Sequence, residues 1–432
     1  MTMRAPRGTF DVLPEEAGRY RRLEATARRV FQTYGYGEIR TPLFEETRLF
    51  VRSIGEVTDI VEKEMFTLAA KSEEDSLSLR PESTAGIVRA YLQHGYHKTQ
   101  PFVKLYAMGP MFRYERPQAG RSRQFDQIGV EAIGSADPLV DAETIALACN
   151  YFDELGITGY TVRINSIGCP DCRASYRELL KKLLAPRLDK LCHLCKTRYE
   201  RNVFRVLDCK EPKCREAAAD VPPMLEHLDA ACAQHFRSVE AGLKAAGVTF
   251  LVDGSVVRGF DYYTRTVYEI MHSAVGARST ICGGGRYDNL VQELGGPSLG
   301  ACGFGIGVVP LLVVMDKLGL SDGTDTTAPD VYVASADDSS RLYAFELAQK
   351  LRHASVRAEV DHEGRSLKAQ MRQANRMKAP FAAVVGPDEE RSRTVQLKDM
   401  EARTDRTVSA EELIELLKAG STKTSFSDRK DT

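Results

Sequence analysis

A polar, turn-forming segment at residues 318–329 (LGLSDGTDTTAP) divides the chain into two parts with different sequence patterns. After it, apolar strand patterns alternate with helix-period segments in the order DVYVAS, SRLYAFELAQKLRHA, VRAEVD, RSLKAQMRQANRMK and FAAVVG. Such alternation is typical of βαβ units with a mostly parallel sheet. We therefore predict a separate small α/β domain over residues 330–420, and a flexible tail of low apolar content at residues 421–432.

The longer part, residues 1–325, has the pattern of an α+β domain. KLYAMGPMFRYERP and RQFDQIGVEAIG are strand patterns joined by a polar loop that contains glycine, which predicts an antiparallel hairpin. From about residue 169 to residue 248 the sequence is helical and charged, and strand patterns then return with TFLVDGSVVRGFDYYTRTVYEIM. A helical insertion within a sheet domain is the simplest explanation of this order.

The predicted hairpin concentrates charge around its turn. Arg113, Glu115 and Arg116 lie near the end of the first strand, and Arg121 and Arg123 lie on the return. Four arginines around one turn favour an anionic ligand. Taken alone, however, such a turn is more often a solvated charged surface.

The second strand of this hairpin has one polar face. Because side chains alternate along a strand, Gln127, Gly129 and Glu131 share a face. If the rest of the domain covers that face, the buried polar groups need partners, and a bound polar ligand is the natural one.

Two later segments combine tyrosine, arginine and glycine. VVRGFDYYTRTVYE contains Arg258, Tyr262 and Tyr263, and CGGGRYDNL contains three glycines, which favour a close approach of backbone or ligand. The tyrosines and arginines could equally be core or interface residues.

The chain has no glycine-rich loop ending in Gly-Lys-Ser/Thr, so that type of phosphate cradle is excluded.

Six of the ten cysteines fall between Cys169 and Cys214. Cys169 and Cys172, followed after nineteen residues by Cys192 and Cys195, have the spacing of a tetrahedral structural zinc site, and Cys209 and Cys214 offer further ligands. Reduced structural thiols are the alternative.

The first residues lack the apolar core of a signal peptide, and no apolar stretch is long enough to span a bilayer. We therefore expect a cytoplasmic protein with no membrane partner, in which disulfides are disfavoured.

The balance of charge restricts nucleic-acid binding to a local surface. Lys and Arg total 59 and Asp and Glu total 60, so the net charge is -1 and there is no overall positive field. Four basic residues at helical spacing in the second part, with no acid from the first of them to Lys378, form a candidate surface: Arg365, Lys368, Arg372 and Arg376. A solvated helix face is the default interpretation, and contact with phosphates is the alternative.

Taken together, these segments resemble the histidyl-tRNA synthetases, a family of class II aminoacyl-tRNA synthetases. The resemblance covers the chain to about residue 420 and rests on RGTFDVLPEE, RPESTAG, FRYERPQAGRSRQFDQIGVE, NSIG, RVLDCK, VVRGFDYYTRTVYE, GGGRYDNL and GRSLKAQMRQAN. It implies a catalytic domain with a six-stranded antiparallel sheet flanked by helices, and a C-terminal anticodon-binding domain. It also implies a homodimer formed through the first motif around Pro42.

The implied activity is the ATP-dependent ligation of L-histidine to tRNA(His) through a histidyl-adenylate, with Mg²⁺ on the departing pyrophosphate. The implied catalytic residues are Arg113, on the ATP α-phosphate and the histidine carboxylate, and Arg258, on the α-phosphate. Glu82 and Thr84 would hold the α-amino group. The other implied contacts are Gln127 near the amino group, Glu131 and Tyr263 on the imidazole, Tyr262 on the substrate, Glu115 and Arg121 on ATP, and Arg365, Lys368, Arg372 and Arg376 on tRNA.

The chain departs from the family most clearly at the third motif. The family ends this motif in Gly-Leu-Glu-Arg, with the arginine on the adenine and γ-phosphate of ATP, whereas this chain has Gly307-Val308-Val309-Pro310. Ser83 and Asp126 also replace the usual glycine and the usual aromatic residue or histidine. Loss of one charge-assisted contact predicts ATP binding weakened roughly ten- to a hundredfold.

These departures keep a second function open. A catalytically impaired paralogue could bind histidine as a regulatory subunit of histidine biosynthesis. Such relatives generally lack the C-terminal domain and the full RGFDYYTR segment, and this chain has both. Histidine-dependent ATP–pyrophosphate exchange distinguishes the two functions.

Overall fold

The computed structural model describes residues 3–55, 58, 60–69, 76–115, 122–207, 209, 211–256, 260–276, 280–320 and 328–424. The chain forms two compact units, residues 1–322 and residues 323–432. Within the described ranges, no helix is long and apolar enough to cross a membrane.

The first unit is built on an eight-stranded sheet. Strands β2 and β3 form a separate antiparallel pair outside this sheet. In chain order, the strands of the unit are β1 (Gly37–Glu38), β2 (Phe44–Glu46), β3 (Leu77–Leu79), β4 (Val103–Phe112), β5 (Gln124–Ile133), β6 (Thr161–Ser166), β7 (Phe250–Val252), β8 (Thr264–Met271), β9 (Thr280–Arg286) and β10 (Ala301–Gly307). The order across the large sheet is β1-β4-β5-β10-β9-β8-β6-β7.

The six central strands of this sheet are antiparallel. Each neighbouring pair from β4 to β6 runs in opposite directions, whereas β1 and β7 pair in parallel with β4 and β6 at the two edges. The predicted hairpin is β4 and β5, which pair continuously from Val103 opposite Ile133 to Phe112 opposite Gln124. The predicted six-stranded antiparallel sheet is therefore confirmed, and the parallel edge strands extend it.

Helices cover both faces of the sheet. They are α1 (Pro14–Thr33), α2 (Thr47–Ile54), α3 (Thr84–Gln93), α4 (Tyr96–Thr99), α5 (Pro138–Glu154), α6 (Pro170–Leu184), α7 (His193–Arg201), α8 (Phe204–Leu207), α9 (Pro212–Ala217), α10 (Ala230–Ala245), α11 (Leu290–Glu293) and α12 (Val308–Lys317). A π-helical turn at Ile60–Glu64 and 3-10 turns at Ala185–Lys190, Met224–His227 and Ser273–Val275 complete the set. Helices α1, α5 and α12 share the core of one face with Ile128 and Val130, and α3 and α11 share the core of the other with Ile133.

The helical insertion, α6 to α10, lies between β6 and β7 and has a small core of its own. Its last helix also belongs to the main core, because Phe236, Val239 and Leu243 of α10 are buried there. Gly242 allows α10 to approach α5 closely, since a Cβ at this position would lie 2.8 Å from the Cβ of Ala142. Helix α10 therefore connects the insertion to the sheet domain.

The second unit is a five-stranded sheet with helices. Its elements are β11 (Val331–Ser335), α13 (Arg341–His353), β12 (Ala358–Val360), α14 (Leu367–Arg376), β13 (Phe381–Val385), α15 (Pro387–Ser392), β14 (Thr394–Asp399), β15 (Thr404–Ser409) and α16 (Ala410–Thr424). The three predicted strands β12, β11 and β13 are parallel, and β14 and β15 add an antiparallel extension. Because α16 reaches Thr424, the first residues of the predicted tail are helical, and residues 425–432 lie outside the described residues.

Candidate functional site

A polar cavity of about 270 Å³ lies on the α3 face of the eight-stranded sheet. Strands β5, β9 and β10 form its floor, and the start of α3 and the segment from Phe260 to Tyr263 form its walls. Its polar and aromatic lining residues are Glu82, Ser83, Thr84, Arg113, Gln127, Glu131, Phe260, Tyr262, Tyr263, Glu269 and Tyr287. Convergent polar groups in one concave space are typical of a binding site for a small polar molecule.

Glycines make room for this cavity in the middle of the sheet. Gly303 and Gly305 of β10 lie opposite Glu131 and Gly129 in the strand ladder, and both line the cavity. A Cβ at Gly303 would collide with the Glu131 carboxylate. Gln127 and Glu131 both reach this space, as the alternation of side chains along β5 predicts.

Glu131 is the buried acid at the floor of the cavity. One carboxylate oxygen accepts a hydrogen bond from the Thr84 hydroxyl at 2.6 Å, and the other accepts one from the Tyr287 hydroxyl. Burial raises the pKa of this carboxyl from its usual 4.5 to about 8, against the lowering effect of the two hydrogen bonds. Glu131 is 2% exposed, so its carboxyl is shielded from bulk solvent.

Glu82 and Thr84 stand where β3 leads into α3. The Glu82 carboxylate accepts hydrogen bonds from the backbone N–H of Thr84 at 2.5 Å and of Ala85 at 2.9 Å, so it caps the first turn of the helix. Burial raises the pKa of Glu82, and the nearby guanidinium of Arg113 opposes that rise. The arrangement holds a carboxylate in fixed orientation at the cavity wall, where it can accept from an ammonium group.

Arg113 is held rigidly between two aromatic rings. Its Nε donates to the Pro81 carbonyl at 3.0 Å, and its guanidinium carbon lies 5.3 Å from the ring centre of Phe125 and 5.7 Å from that of Phe260. Desolvation lowers the pKa of the guanidinium, but an arginine pKa starts so high that the group stays charged. A fixed, desolvated cation of this kind suits an anionic ligand.

An aromatic wall closes the cavity opposite α3. The rings of Phe260 and Tyr262 stack at 5.1 Å, and those of Tyr262 and Tyr263 lie 4.7 Å apart. Arg173, in the first turn of α6, donates from Nη1 to the carbonyls of Asp261 at 3.3 Å and Tyr263 at 3.1 Å. The helical insertion thus fixes the backbone of this wall.

The cavity brings together most of the residues predicted to bind substrate. Those that line it are Glu82, Thr84, Arg113, Gln127, Glu131, Tyr262 and Tyr263. Glu115 follows Arg113 on the hairpin but is not among the lining residues. Arg258 and Arg121 lie outside the described residues, so their predicted contacts with ATP stay predictions.

Tyr287 is a cavity residue that the sequence analysis missed. It follows Arg286, which is fully buried away from the cavity and bonds Asp141 at 2.6 Å and the carbonyls of Ser135 and Asp137. The segment GGGRYD therefore combines an arginine buried away from the cavity with a tyrosine that lines it. The signal for Tyr287 was its place two residues after Gly285, on the same side of the chain as the glycines that open the cavity.

The altered third motif adjoins the cavity floor. Gly307, the last residue of β10, lies opposite Gln127, and Val309 and Pro310 are in the first turn of α12. Proline is tolerated there because the first N–H groups of a helix have no partner within it. Helix α12 therefore forms despite Pro310, without the glutamate and arginine that the resemblance leads one to expect at Val309 and Pro310.

The structure does not bring the two predicted Cys-x2-Cys pairs together in one group. Cys192 and Cys195 converge with Cys209 and Cys214, a set we name the four-cysteine group. Cys169 and Cys172 instead converge with Asp229 and Cys232, a set we name the mixed group. The first pair lies at the start of α6 and the second at the start of α7. Each pair therefore meets residues later in the chain and not the other pair.

The predicted basic surface of the second unit is narrower than its sequence indicates. Lys368, Arg372 and Arg376 are exposed on α14. Arg365 lies just before the helix and forms ion pairs with Asp361, at 3.3 Å, and with Glu363. The acids upstream of Arg365 therefore offset its charge.

The raised pKa of Glu131 predicts a cost in stability that depends on pH. The unfolded chain ionises this carboxyl above about pH 4.5, whereas the unliganded fold keeps it protonated up to about pH 8, so the free energy of unfolding falls between those values. Glu131→Gln removes this titration. We expect the variant to gain roughly 4 kcal/mol relative to the natural chain between pH 5 and pH 8.5.

Urea unfolding at the two pH values, without histidine, measures this difference. Glu178→Gln, at an exposed position of α6, is the matched control and should show no comparable gain. A pH-independent difference for Glu131→Gln would mean that Glu131 is ionised in the unliganded fold.

The fold and the site together define a class II aminoacyl-tRNA synthetase. The defining features are the six-stranded antiparallel sheet, the rigid arginine on its hairpin and the buried acids on its glycine-rich face. The family model for histidyl-tRNA synthetase matches residues 8–311, and that for the anticodon binding domain matches residues 330–420. The chain belongs to the histidyl-tRNA synthetase family, as its motifs predicted.

Individual relatives agree with this assignment. The histidine–tRNA ligase of Geobacter metallireducens is 46% identical over 93% of this chain and 96% of its own. The solved apo histidyl-tRNA synthetase of S. aureus is 34% identical with a TM-score of 0.81, and the match covers 96% of this chain and all of that one. A Bacillus halodurans structure titled as an ATP phosphoribosyltransferase regulatory subunit/histidyl-tRNA synthetase has 22% identity and a TM-score of 0.63, with 89% and 98% coverage of the two chains. That identity shows only the fold, and it does not favour the regulatory alternative.

Proposed function

We propose that this chain activates L-histidine with ATP and transfers the histidyl group to tRNA(His). The observation that carries the proposal is the cavity in which Glu131, held by Thr84 and Tyr287, lies on the same floor as Gln127 and within the same walls as Arg113. One buried carboxylate can accept from an imidazole N–H, while a guanidinium at the rim meets a carboxylate and a phosphate. The family relationship supports the same substrate.

The first step joins the two substrates in line. A histidine carboxylate oxygen attacks the α-phosphorus of ATP, a P–O bond to the adenylate forms, and the bond to pyrophosphate breaks. Negative charge grows on the non-bridging oxygens, and the preset cation of Arg113 stabilises it without reorganising. Glu82, fixed at the start of α3, accepts from the α-amino group and aligns the carboxylate for attack. Arg258 is proposed as the second cation at the α-phosphate.

Mg²⁺ is proposed to enter with ATP. Across the described part of the chain, the groups of three or more side chains able to hold a metal are the two cysteine-containing groups, neither of which lies in the cavity. This fits an ion carried mainly by triphosphate oxygens and water, as Mg²⁺ often is. When bound, it neutralises charge on the departing pyrophosphate.

The second step is attack of a terminal ribose hydroxyl of tRNA(His) on the adenylate carbonyl, with release of AMP. Histidine-dependent ATP–pyrophosphate exchange tests the first step, and charging of tRNA(His) with labelled histidine tests the second. Absence of exchange at millimolar ATP would point to a binding or regulatory protein. Charging with another amino acid at equal efficiency would contradict the assignment of the cavity to histidine.

Restoring the third-motif arginine should strengthen ATP binding. Pro310 lies one turn from the strand end that faces Gln127, so an arginine there can reach toward the nucleotide side of the cavity. We expect Pro310→Arg to lower the Michaelis constant for ATP about ten- to a hundredfold, the value of one charge-assisted contact. Leu318→Arg, which adds the same charge just after the other end of α12, is the control. An unchanged ATP constant in Pro310→Arg would show that another cation already fills this role.

The exposed face of α14 is proposed to contact the tRNA backbone. Lys368, Arg372 and Arg376 lie on one side of this helix in a unit that matches an anticodon-binding domain. We expect Lys368→Ala combined with Arg372→Ala to weaken tRNA binding and to reduce the slope of log Kd against log salt by about 1.5. Adenylate formation should be unchanged. Lys350→Ala, whose lysine pairs with Glu346, is the control, and an equal loss of slope there would contradict a specific surface.

A homodimer is also proposed. Leu43 and Phe44, next to Pro42, are 43% and 50% exposed, which is unusual for two adjacent large apolar side chains. Their exposure supports an interface at this segment.

A further inference from the structure

We propose that the helical insertion binds two zinc ions, one in the four-cysteine group and one in the mixed group. Each group offers four ligand atoms that lie within 4.8 Å of one another. None of the ligand residues lines the cavity, so the ions would not touch ATP or histidine.

The distances between ligand atoms fit a tetrahedral metal. With Zn–S bonds of about 2.3 Å, sulfurs at tetrahedral corners lie about 3.8 Å apart. Cys192 and Cys209 have Sγ atoms 4.0 Å apart, and Cys169 and Cys172 have Sγ atoms 3.6 Å apart. A disulfide needs about 2.05 Å, so neither pair is bonded. Small shifts alone would bring the atoms onto one ion.

The same local geometry presents ligands in both groups. Cys169 precedes the first residue of α6 and Cys172 lies in its first turn, and Asp229 and Cys232 have the same two positions on α10. Cys192 and Cys195 repeat the arrangement on α7. Positions three apart at a helix start point their side chains toward the same spot, and the helix dipole there favours thiolates.

Existing contacts already surround the sulfurs with donors. In the four-cysteine group, the backbone N–H of Cys192 donates to the Cys214 sulfur at 3.1 Å, and that of Cys195 donates to the Cys192 sulfur at 3.4 Å. In the mixed group, the backbone N–H of Asp229 donates to the Cys172 sulfur at 3.2 Å, and an Asp229 carboxylate oxygen accepts from the Cys169 and Cys172 thiols at 3.2 Å and 3.1 Å. Backbone N–H groups that donate to the sulfurs orient them as metal ligands.

The insertion also lacks an ordinary core. Five of the thirteen buried members of its cluster are cysteines: Cys172, Cys195, Cys209, Cys214 and Cys232. Small segments with few large apolar side chains commonly depend on a metal for stability. The remaining cysteines of the chain belong to neither group and are buried elsewhere: Cys149 and Cys282 in the main core, and Cys302 on β10. Burial of a thiol alone therefore does not require convergence with others.

The two ions should differ in lability. Three of the four ligands in the four-cysteine group are buried, whereas Asp229 is exposed and Cys169 is half-buried. Access of water and chelator is thus greater at the mixed group. We expect the mixed group to release its zinc first when the full-length chain is dialysed against a chelator.

The mixed group is also connected to the aromatic wall of the cavity. Arg173, next to Cys172, holds the carbonyls of Asp261 and Tyr263. Zinc in the mixed group would therefore position the histidine-binding wall through Arg173. This part rests on the proposed function, whereas zinc content does not.

Metal analysis of the full-length, untagged chain tests the proposal. We expect two zinc ions per chain, about one in Cys195→Ser, about one in Asp229→Asn, and two in the control Cys149→Ser. Asparagine keeps the helix cap of α10 and removes the charged ligand, so this variant should fold. Zero or one zinc in the natural chain supplied with excess zinc, or iron in place of zinc, would overturn the two-site assignment.

Two further measurements keep the test independent of how well the variants fold. Mercurial titration of the natural chain should release two equivalents of zinc, and the cobalt-substituted chain should show the strong visible bands of tetrahedral cobalt–thiolate. Release of no zinc, or an octahedral cobalt spectrum, would contradict the proposal.

Steady-state kinetics test the connection to the cavity. Asp229→Asn should raise the histidine KM severalfold, while kcat and the ATP KM stay within twofold of those of the natural chain. An unchanged histidine KM with one zinc lost would overturn the positioning role alone.

Discussion

Arg113→Ala is expected to lower the rate of histidine-dependent ATP–pyrophosphate exchange by about 10²- to 10³-fold. This is the usual effect of removing one preorganised group that stabilises transition-state charge. Arg113 is fixed by the Pro81 carbonyl and by Phe125 and Phe260, so no flexible side chain can simply take its place. The Arg113→Lys variant should recover little, because an ammonium cannot form the same planar pair of contacts.

Single-turnover adenylate formation measures this loss directly. Arg29→Ala removes an exposed arginine that pairs with Glu154 on the outer surface, and it should stay within twofold of the natural chain. A tenfold or smaller loss in Arg113→Ala, with normal folding, would mean that other groups carry the charge stabilisation.

Glu131→Gln is expected to reduce kcat/KM for histidine by about 10²- to 10³-fold. An amide is a weaker acceptor for an imidazole N–H than a carboxyl that can ionise against the bound imidazole, and it also presents an N–H where an acceptor is needed. Tyr287→Phe removes only one of the two hydrogen bonds that hold the carboxylate, so a loss of about tenfold is expected. The ATP KM should change little in both variants.

Steady-state exchange at varied histidine, with ATP saturating, separates these effects. Tyr160→Phe is the matched control for the tyrosine, since its hydroxyl bonds Asp153 on the opposite side of the sheet. If Glu131→Gln raised the KM for ATP as much as that for histidine, the cavity floor would be assigned to the wrong substrate.

Together with the expected gain in stability at high pH, the loss of activity would mark Glu131 as a residue kept for function at the expense of stability.

Local pattern predicted the parts of the fold in which neighbouring residues decide the structure. The hairpin of β4 and β5 follows from its strand periodicity and polar turn, and the shared face of Gln127 and Glu131 follows from the alternation along β5. The parallel pairing of the edge strands β1 and β7 was not predicted, because these strands have only two and three residues. Such short segments carry too little periodicity to identify.

Long-range pairing could not be obtained from spacing. Two Cys-x2-Cys pairs predicted a metal ligand set but not that each pair meets a different later segment, such as Asp229 and Cys232. The partner of Glu131 was likewise missed, since Tyr287 is distant in sequence and meets it only when β9 and β5 flank β10. The charge of Arg365 was overestimated because the acids that pair with it precede the helix rather than lie within it.

Helix α10 sets a limit on how far this enzyme can be reduced to a minimal catalytic unit. Its first turn belongs to the mixed group, while Phe236, Val239 and Leu243 shield the sheet beside α5. A chain shortened by the stretch before Asp229 would lose Arg173, which holds the carbonyls of Asp261 and Tyr263 in the cavity wall. A chain shortened by α10 as well would leave apolar surface of the catalytic domain open to water, so a truncation that removes the insertion costs first the histidine site and then the fold.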